Sequence, residues 1–131
     1  MTRGRLWKSY FYFAVVLTAS SIAFAFLGDG ETKMLWWDWL YVPLYLLQAV
    51  SLFGFVYLRC IASATIWKTL FVAAVGYEIW NAYDMTANWF SSATPAFVTV
   101  VLTMVYLIQA PLWYGNFLYA FRCKELWNAK T

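Results

Sequence analysis

The sequence predicts an all-α integral membrane protein, a four-helix transmembrane bundle of two tandem αα-hairpins with both termini in the cytoplasm. Three observations lead there: four long apolar stretches, a one-sided distribution of lysine and arginine, and a repeat of short motifs between the two halves. Of 131 residues, 64% are hydrophobic, 23% aromatic and 11% charged. A water-soluble domain carries roughly 45–50% apolar and about 25% charged residues. A chain this short buries only part of its apolar surface on folding, so a lipid solvent resolves the conflict. The length fits one domain, residues 1–131.

Each element follows in order. Crossing roughly 30 Å of hydrocarbon takes about 20 apolar residues in a helix. The stretches Trp7–Leu27, Trp39–Leu58, Ile66–Thr86 and Ala96–Phe121 meet that length. The third is the least apolar, because it carries Glu78, Asn81 and Asp84. The first, preceded by Arg3, Arg5 and Lys8, has the basic start of a signal peptide, and Ala23-Phe24-Ala25 resembles a cleavage site. Its apolar run exceeds the roughly 7–15 residues of a signal core, so a retained helix is expected.

Eight of the nine basic residues fall in the N-terminal segment, the junction of the second and third stretches, and the C-terminal tail. Lys33 alone lies in the other two loops, among Asp29, Glu31, Asp38 and Asp84. Cytoplasmic loops collect lysine and arginine, which places both ends and the middle loop inside. A bacterial cytoplasmic (inner) membrane is the expected address. Trp36, Trp37, Trp39, Tyr41, Trp89 and Phe90 are expected at the outer interface, and Trp7, Trp67, Trp113 and Tyr114 at the inner one, where amphipathic rings sit.

The halves share ordered matches. Leu6-Trp7-Lys8-Ser9 parallels Ile66-Trp67-Lys68-Thr69, and Phe11, Ala14 and Val15 parallel Phe71, Ala74 and Val75. Tyr45-Leu46-Leu47-Gln48-Ala49 parallels Tyr106-Leu107-Ile108-Gln109-Ala110, Gly54 parallels Gly115, and Arg59-Cys60 parallels Arg122-Cys123 after a two-residue insertion. Two spans per copy give a parallel repeat of residues 6–60 and 66–123, about an axis along the membrane normal. Cys60 and Cys123 then mark packed cytoplasmic helix ends, where a reducing compartment keeps thiols.

Counting 1.5 Å per residue from Lys68 puts Glu78 about 15 Å into the bilayer. Thr18, Gln48 and Gln109 reach similar depth on their own helices. An ionised carboxylate there is costly, so such residues turn to the bundle interior or a wet cavity. No span offers an interior Lys, Arg or His to Glu78. It is therefore expected protonated and hydrogen-bonded, or facing water or a cation. Steps of three and four residues gather Glu78, Asn81, Met85 and Asn88 on one helix face, with Asp84 beside it. Thr99, Thr103, Tyr106 and Gln109 form a second stripe, and Tyr41, Tyr45 and Gln48 a third. Ala14, Thr18, Ser21 and Ala25 give a narrow small-residue face on the first helix. Such groups bring helices close and hydrogen-bond between them. The candidate ligand- or proton-binding residues are Glu78, Gln48, Gln109, Thr18, Tyr106, Asn81 and Asp84.

Two cysteines and no histidine leave no zinc-type ligand set of about four groups. Nucleophile-elbow, P-loop, dinucleotide and zinc-protease motifs are absent, so no catalytic residue, metal or cofactor is expected. The basic residues fall where topology puts them, so nucleic acid is not an expected partner. The favoured expectation is a non-catalytic partner protein acting through helix–helix contacts in the lipid bilayer: a subunit, an assembly factor or an immunity-type protein. The alternative is a small homo-oligomeric transporter or channel in which Glu78 binds a proton or cation.

Overall fold

The computed structural model describes residues 4–27, 38–89 and 94–128. Arg3, Asp29, Glu31, Lys33, Trp36, Trp37, Phe90, Lys130 and both terminal residues lie outside them, as do the side chains of Phe24, Ala25, Asp38 and Trp89. The described residues are helical, without a strand: α1 (Arg5–Leu27), a 3-10 turn (Asp38–Leu40), α2 (Tyr41–Val56), α3 (Ala64–Trp89), α4 (Pro95–Phe117), a π turn (Leu118–Arg122) and α5 (Lys124–Asn128). The four long helices fall on the four apolar stretches. Helix α2 is the central one, packed against α1, α3 and α4.

Local chemistry sets the ends. Pro95 opens α4 at its first turn, where the missing N–H costs nothing and the fixed φ suits a helix. Helix α2 closes early, at Val56. The Arg59 N–H reaches back to the Gly54 carbonyl at 2.9 Å while Leu58 turns left-handed at φ 52°. This six-residue closure is a Schellman end with leucine where glycine is usual. At its other extreme, α4 widens: the Cys123 N–H bonds the Leu118 carbonyl at 3.0 Å, five residues back.

That widened turn seats Tyr119 in the middle of the core. Its ring is fully buried. The Tyr119 hydroxyl donates to the Arg59 carbonyl at 2.7 Å and accepts from the Ile61 N–H at 3.0 Å, pinning the α2–α3 loop. The Trp67 indole N–H holds the Ile61 carbonyl of the same loop. Trp127 of α5 folds back to donate to the Tyr119 carbonyl at 3.0 Å. The ring lies so close to Gly54 that a Cβ there would sit 2.5 Å from Tyr119 Cζ. Trp7 likewise covers Gly115 and packs edge-on against Phe55. Trp67, expected at the inner interface, is buried in the core, where the Ile61 carbonyl accepts its N–H and the Tyr119 ring packs against it.

The core concentrates at this end of the bundle, around Leu52, Phe55, Val56, Trp67, Leu112 and Tyr119. Elsewhere large apolar side chains face outward. Among the described residues one helical segment, Pro95–Arg122, is long and apolar enough to cross a membrane, and only 11% of its most apolar stretch is buried within the protein. Phe97, Met104 and Leu107 on it are 60%, 60% and 67% exposed. Sixteen residues make α2 about 24 Å long, under the roughly 30 Å of a hydrocarbon core. Helix α3 is longer but is diluted by Lys68, Glu78, Asn81 and Asp84.

Pro111 interrupts α4. A proline inside a helix removes one ladder bond and pushes the turn before it apart. Tyr10 of α1 fills the opening: the Leu112 N–H donates to the Tyr10 hydroxyl at 3.1 Å, which donates to the Ile108 carbonyl at 2.8 Å. A regular helix would join Leu112 to Ile108 directly. The hydroxyl thus bridges the two backbone groups of that ladder position and ties α1 to α4.

Candidate functional site

Three helices supply a polar cluster. On α2, Tyr45, Gln48 and Ser51 follow three-residue steps and share a face. On α3, Glu78 and Asn81 do the same. On α4, Gln109 and Asn116 are seven residues apart, two turns along one side. The centre is Tyr45, whose hydroxyl donates to Glu78 Oε1 at 2.7 Å and accepts from Gln109 Nε2 at 3.4 Å. Asn81 also hydrogen-bonds the Glu78 carboxyl. Glu78 is 9% exposed. It thus reaches Gln109 through the Tyr45 hydroxyl rather than directly. Its link across the bundle is a tyrosine, a residue absent from the predicted ligand set.

Three separate spaces surround this cluster. One is a lateral slot between α3 and α4, lined by Glu78, Val75, Ala82, Tyr106 and Trp113. A second is a cleft where Thr18 and Ser21 of α1 face Tyr45 and Gln109. The third is a partly enclosed chamber lined by Gln48, Ser51, Trp67, Trp113 and Asn116. Trp113 lines both chamber and slot.

The predicted residues therefore divide. Glu78, Asn81 and Gln109 join through Tyr45, and Thr18 shares the cleft with Gln109. Gln48, one turn from Tyr45, faces the chamber. Tyr106 is exposed and lines the slot beside Glu78. Asp84 is exposed, away from the cluster. The hydroxyls expected to bond between helices turn back instead. Thr99 donates to the Pro95 carbonyl at 2.8 Å and Thr103 to the Thr99 carbonyl at 2.7 Å, both within α4. A helix carbonyl four residues back is the nearest acceptor for an outward threonine.

Sequence reasoning passed over Ser51 and Asn116. The signal for Asn116 was an amide in the C-terminal half of an apolar stretch, two turns from Gln109 on the same side. Its position opposite Phe55 in the repeat alignment hid it. Comparison with protein-family models, with curated proteins and with solved structures finds no match to this chain.

Proposed function

We infer that this protein spans the bilayer four times and serves as a non-catalytic partner, receiving a transmembrane helix of another membrane protein in the slot between α3 and α4. The observation that carries this reading is the slot itself. Glu78 is one of its lining residues, its exposed walls are almost wholly apolar, and it opens sideways beside the outward apolar face of α4. The matching occupant is an apolar helix with a hydroxyl or amide donor opposite Glu78. Small polar side chains make such contacts between helices in lipid.

Four spans and an inside location of both ends agree with the arrangement of the basic residues. The Lys68 ammonium lies over the Phe121 ring at 5.7 Å, and the Arg59 carbonyl holds Tyr119, three residues from Arg122. Trp7, one residue from Lys8, packs on Phe55 and Gly115, so Lys8 joins the same end. A bacterial inner membrane suits the short loops and charge bias.

The test is mass spectrometry of the protein gently extracted from its native membrane, with wild type beside Ala82→Trp. Ala82 lines the slot, and an indole there fills it. A stoichiometric membrane protein lost from Ala82→Trp, with the fold retained, supports the reading. A chain that elutes alone, or an occupant indifferent to Ala82→Trp, ends it. The second reading, a homo-oligomeric proton or cation transporter, draws on the hydrogen-bonded string from Glu78 through Tyr45 to Gln109, which runs from slot to cleft. Ion uptake by reconstituted vesicles, abolished by Glu78→Gln, would favour it.

A further inference from the structure

The chamber between α2, α3 and α4 has a property that the partner reading does not use. Gln48 and Asn116 are 8% and 4% exposed, and Ser51 beside them is equally buried. Gln48 Oε1, Asn116 Oδ1 and Asn116 Nδ2 are buried and have no hydrogen-bond partner among the described residues. All three belong to side chains lining one space. Burying an amide without a partner is costly anywhere, and most of all where the surroundings are lipid and apolar side chains. The rest of the wall is apolar, including Phe71 and Ala74. The space has room for about one water molecule.

We propose that this chamber is a binding site for a single internal water that bridges Gln48 of α2 to Asn116 of α4. The choice of ligand follows from the polar atoms offered. Two are acceptors and one is a donor. A cation would face the Asn116 Nδ2 hydrogens, and an anion would face two carbonyl oxygens. Water brings two donors and two acceptors and matches a mixed set. Exchanging oxygen and nitrogen in either amide leaves the set mixed, so the choice does not depend on amide orientation. An organic ligand is too large for the space. The water is then part of the fold, a polar link between the central helix α2 and α4.

The full chain in lipid nanodiscs, with glutamine and asparagine side chains labelled with nitrogen-15, provides the test. Cross-relaxation from a long-lived water to the side-chain amide protons of both Gln48 and Asn116 is expected. A chamber without water shows none at either residue, and that result overturns the proposal. So does a direct amide-to-amide hydrogen-bond coupling between Gln48 and Asn116. Thermal unfolding gives an independent reading. Gln48→Leu and Asn116→Leu each strand the other residue's amide, so each alone should lower the midpoint. The double variant should then recover part of the loss. Strictly additive losses contradict a shared water. The cross-relaxation measurement needs only wild type, so it decides the matter even if a leucine variant does not fold.

Discussion

Removing one oxygen atom, by Tyr10→Phe, tests how the proline in α4 is accommodated. The Tyr10 hydroxyl makes two hydrogen bonds, at 3.1 Å from the Leu112 N–H and at 2.8 Å to the Ile108 carbonyl. Each is worth about 0.5–1.5 kcal/mol net, so their joint loss is about 1–3 kcal/mol. The upper part of that range applies if both backbone groups remain unpaired, because no bulk water reaches a group within the hydrocarbon. Pro111→Ala changes the account. Once the obstruction is gone, the turn can close and the Leu112 N–H can return to Ile108 directly. In that background Tyr10→Phe should cost no more than about 0.5 kcal/mol, the usual scale of a change without a broken network. The expected coupling in a double-mutant cycle is therefore about 0.5–3 kcal/mol. Reversible unfolding in mixed detergent micelles measures the cycle, and amide exchange at Leu112 reports the bond itself. Tyr10→Phe should speed that exchange in wild type and leave it unchanged beside Pro111→Ala. Equal losses in both backgrounds, or unchanged Leu112 exchange in wild type, would refute the reasoning.

Gly54→Ala sets a Cβ 2.5 Å from the Tyr119 ring, which Arg59 and Ile61 hold in place, so an overpacking loss of about 1–3 kcal/mol is expected. Gly115→Ala meets the end of the Leu52 side chain at 2.7 Å, which rotates more easily, so its loss in the same unfolding assay should be smaller. Ala62 is exposed at φ 59°, so Ala62→Val, which branches a Cβ already in the left-handed region, should lower stability further, whereas Ala62→Gly removes that Cβ and should stabilise by up to about 1 kcal/mol in the same assay. Glu78→Gln keeps a hydrogen bond to Tyr45 and should leave unfolding nearly unchanged, while Glu78→Leu strands the Tyr45 hydroxyl and should cost about 1–3 kcal/mol; equal midpoints for the two variants would contradict this account. Reporter fusions at each end of the chain should both read cytoplasmic, and an external signal from either end would remove the four-span topology.

Much of the helical layout was legible because it rests on local rules. The apolar stretches fall on α1 to α4 since a run of some 20 apolar residues with few breaks is a helix in any apolar solvent. The early end of α2 at Val56 was less legible, because it depends on Leu58 adopting a left-handed turn that leucine seldom takes. The candidate site was legible one residue at a time. Depth arithmetic and three- and four-residue steps marked Glu78, Asn81, Gln48 and Gln109 as inward polar groups. They did not reveal that Tyr45 joins Glu78 to Gln109, since pairing across helices depends on rotation and offset, which no periodicity within one helix specifies. The same gap hid Ser51 and Asn116, and it left unread that Trp67 packs into the core.

The sequence by itself determined an all-helical chain whose long helices fall on its apolar stretches, and it determined which faces are polar. Those properties follow from composition and from the 3.6-residue turn, which act within a single segment. Only the tertiary structure decided that α2 is the central helix, that Tyr119 locks the α2–α3 loop, that Tyr10 mends the ladder beside Pro111, and that the polar residues divide among a slot, a cleft and a chamber. Each of those outcomes joins residues 33 to 102 positions apart, or near that span. Such pairings are chosen by close packing of whole helices against one another, and a side chain's own neighbours in sequence carry no record of which distant surface it will meet.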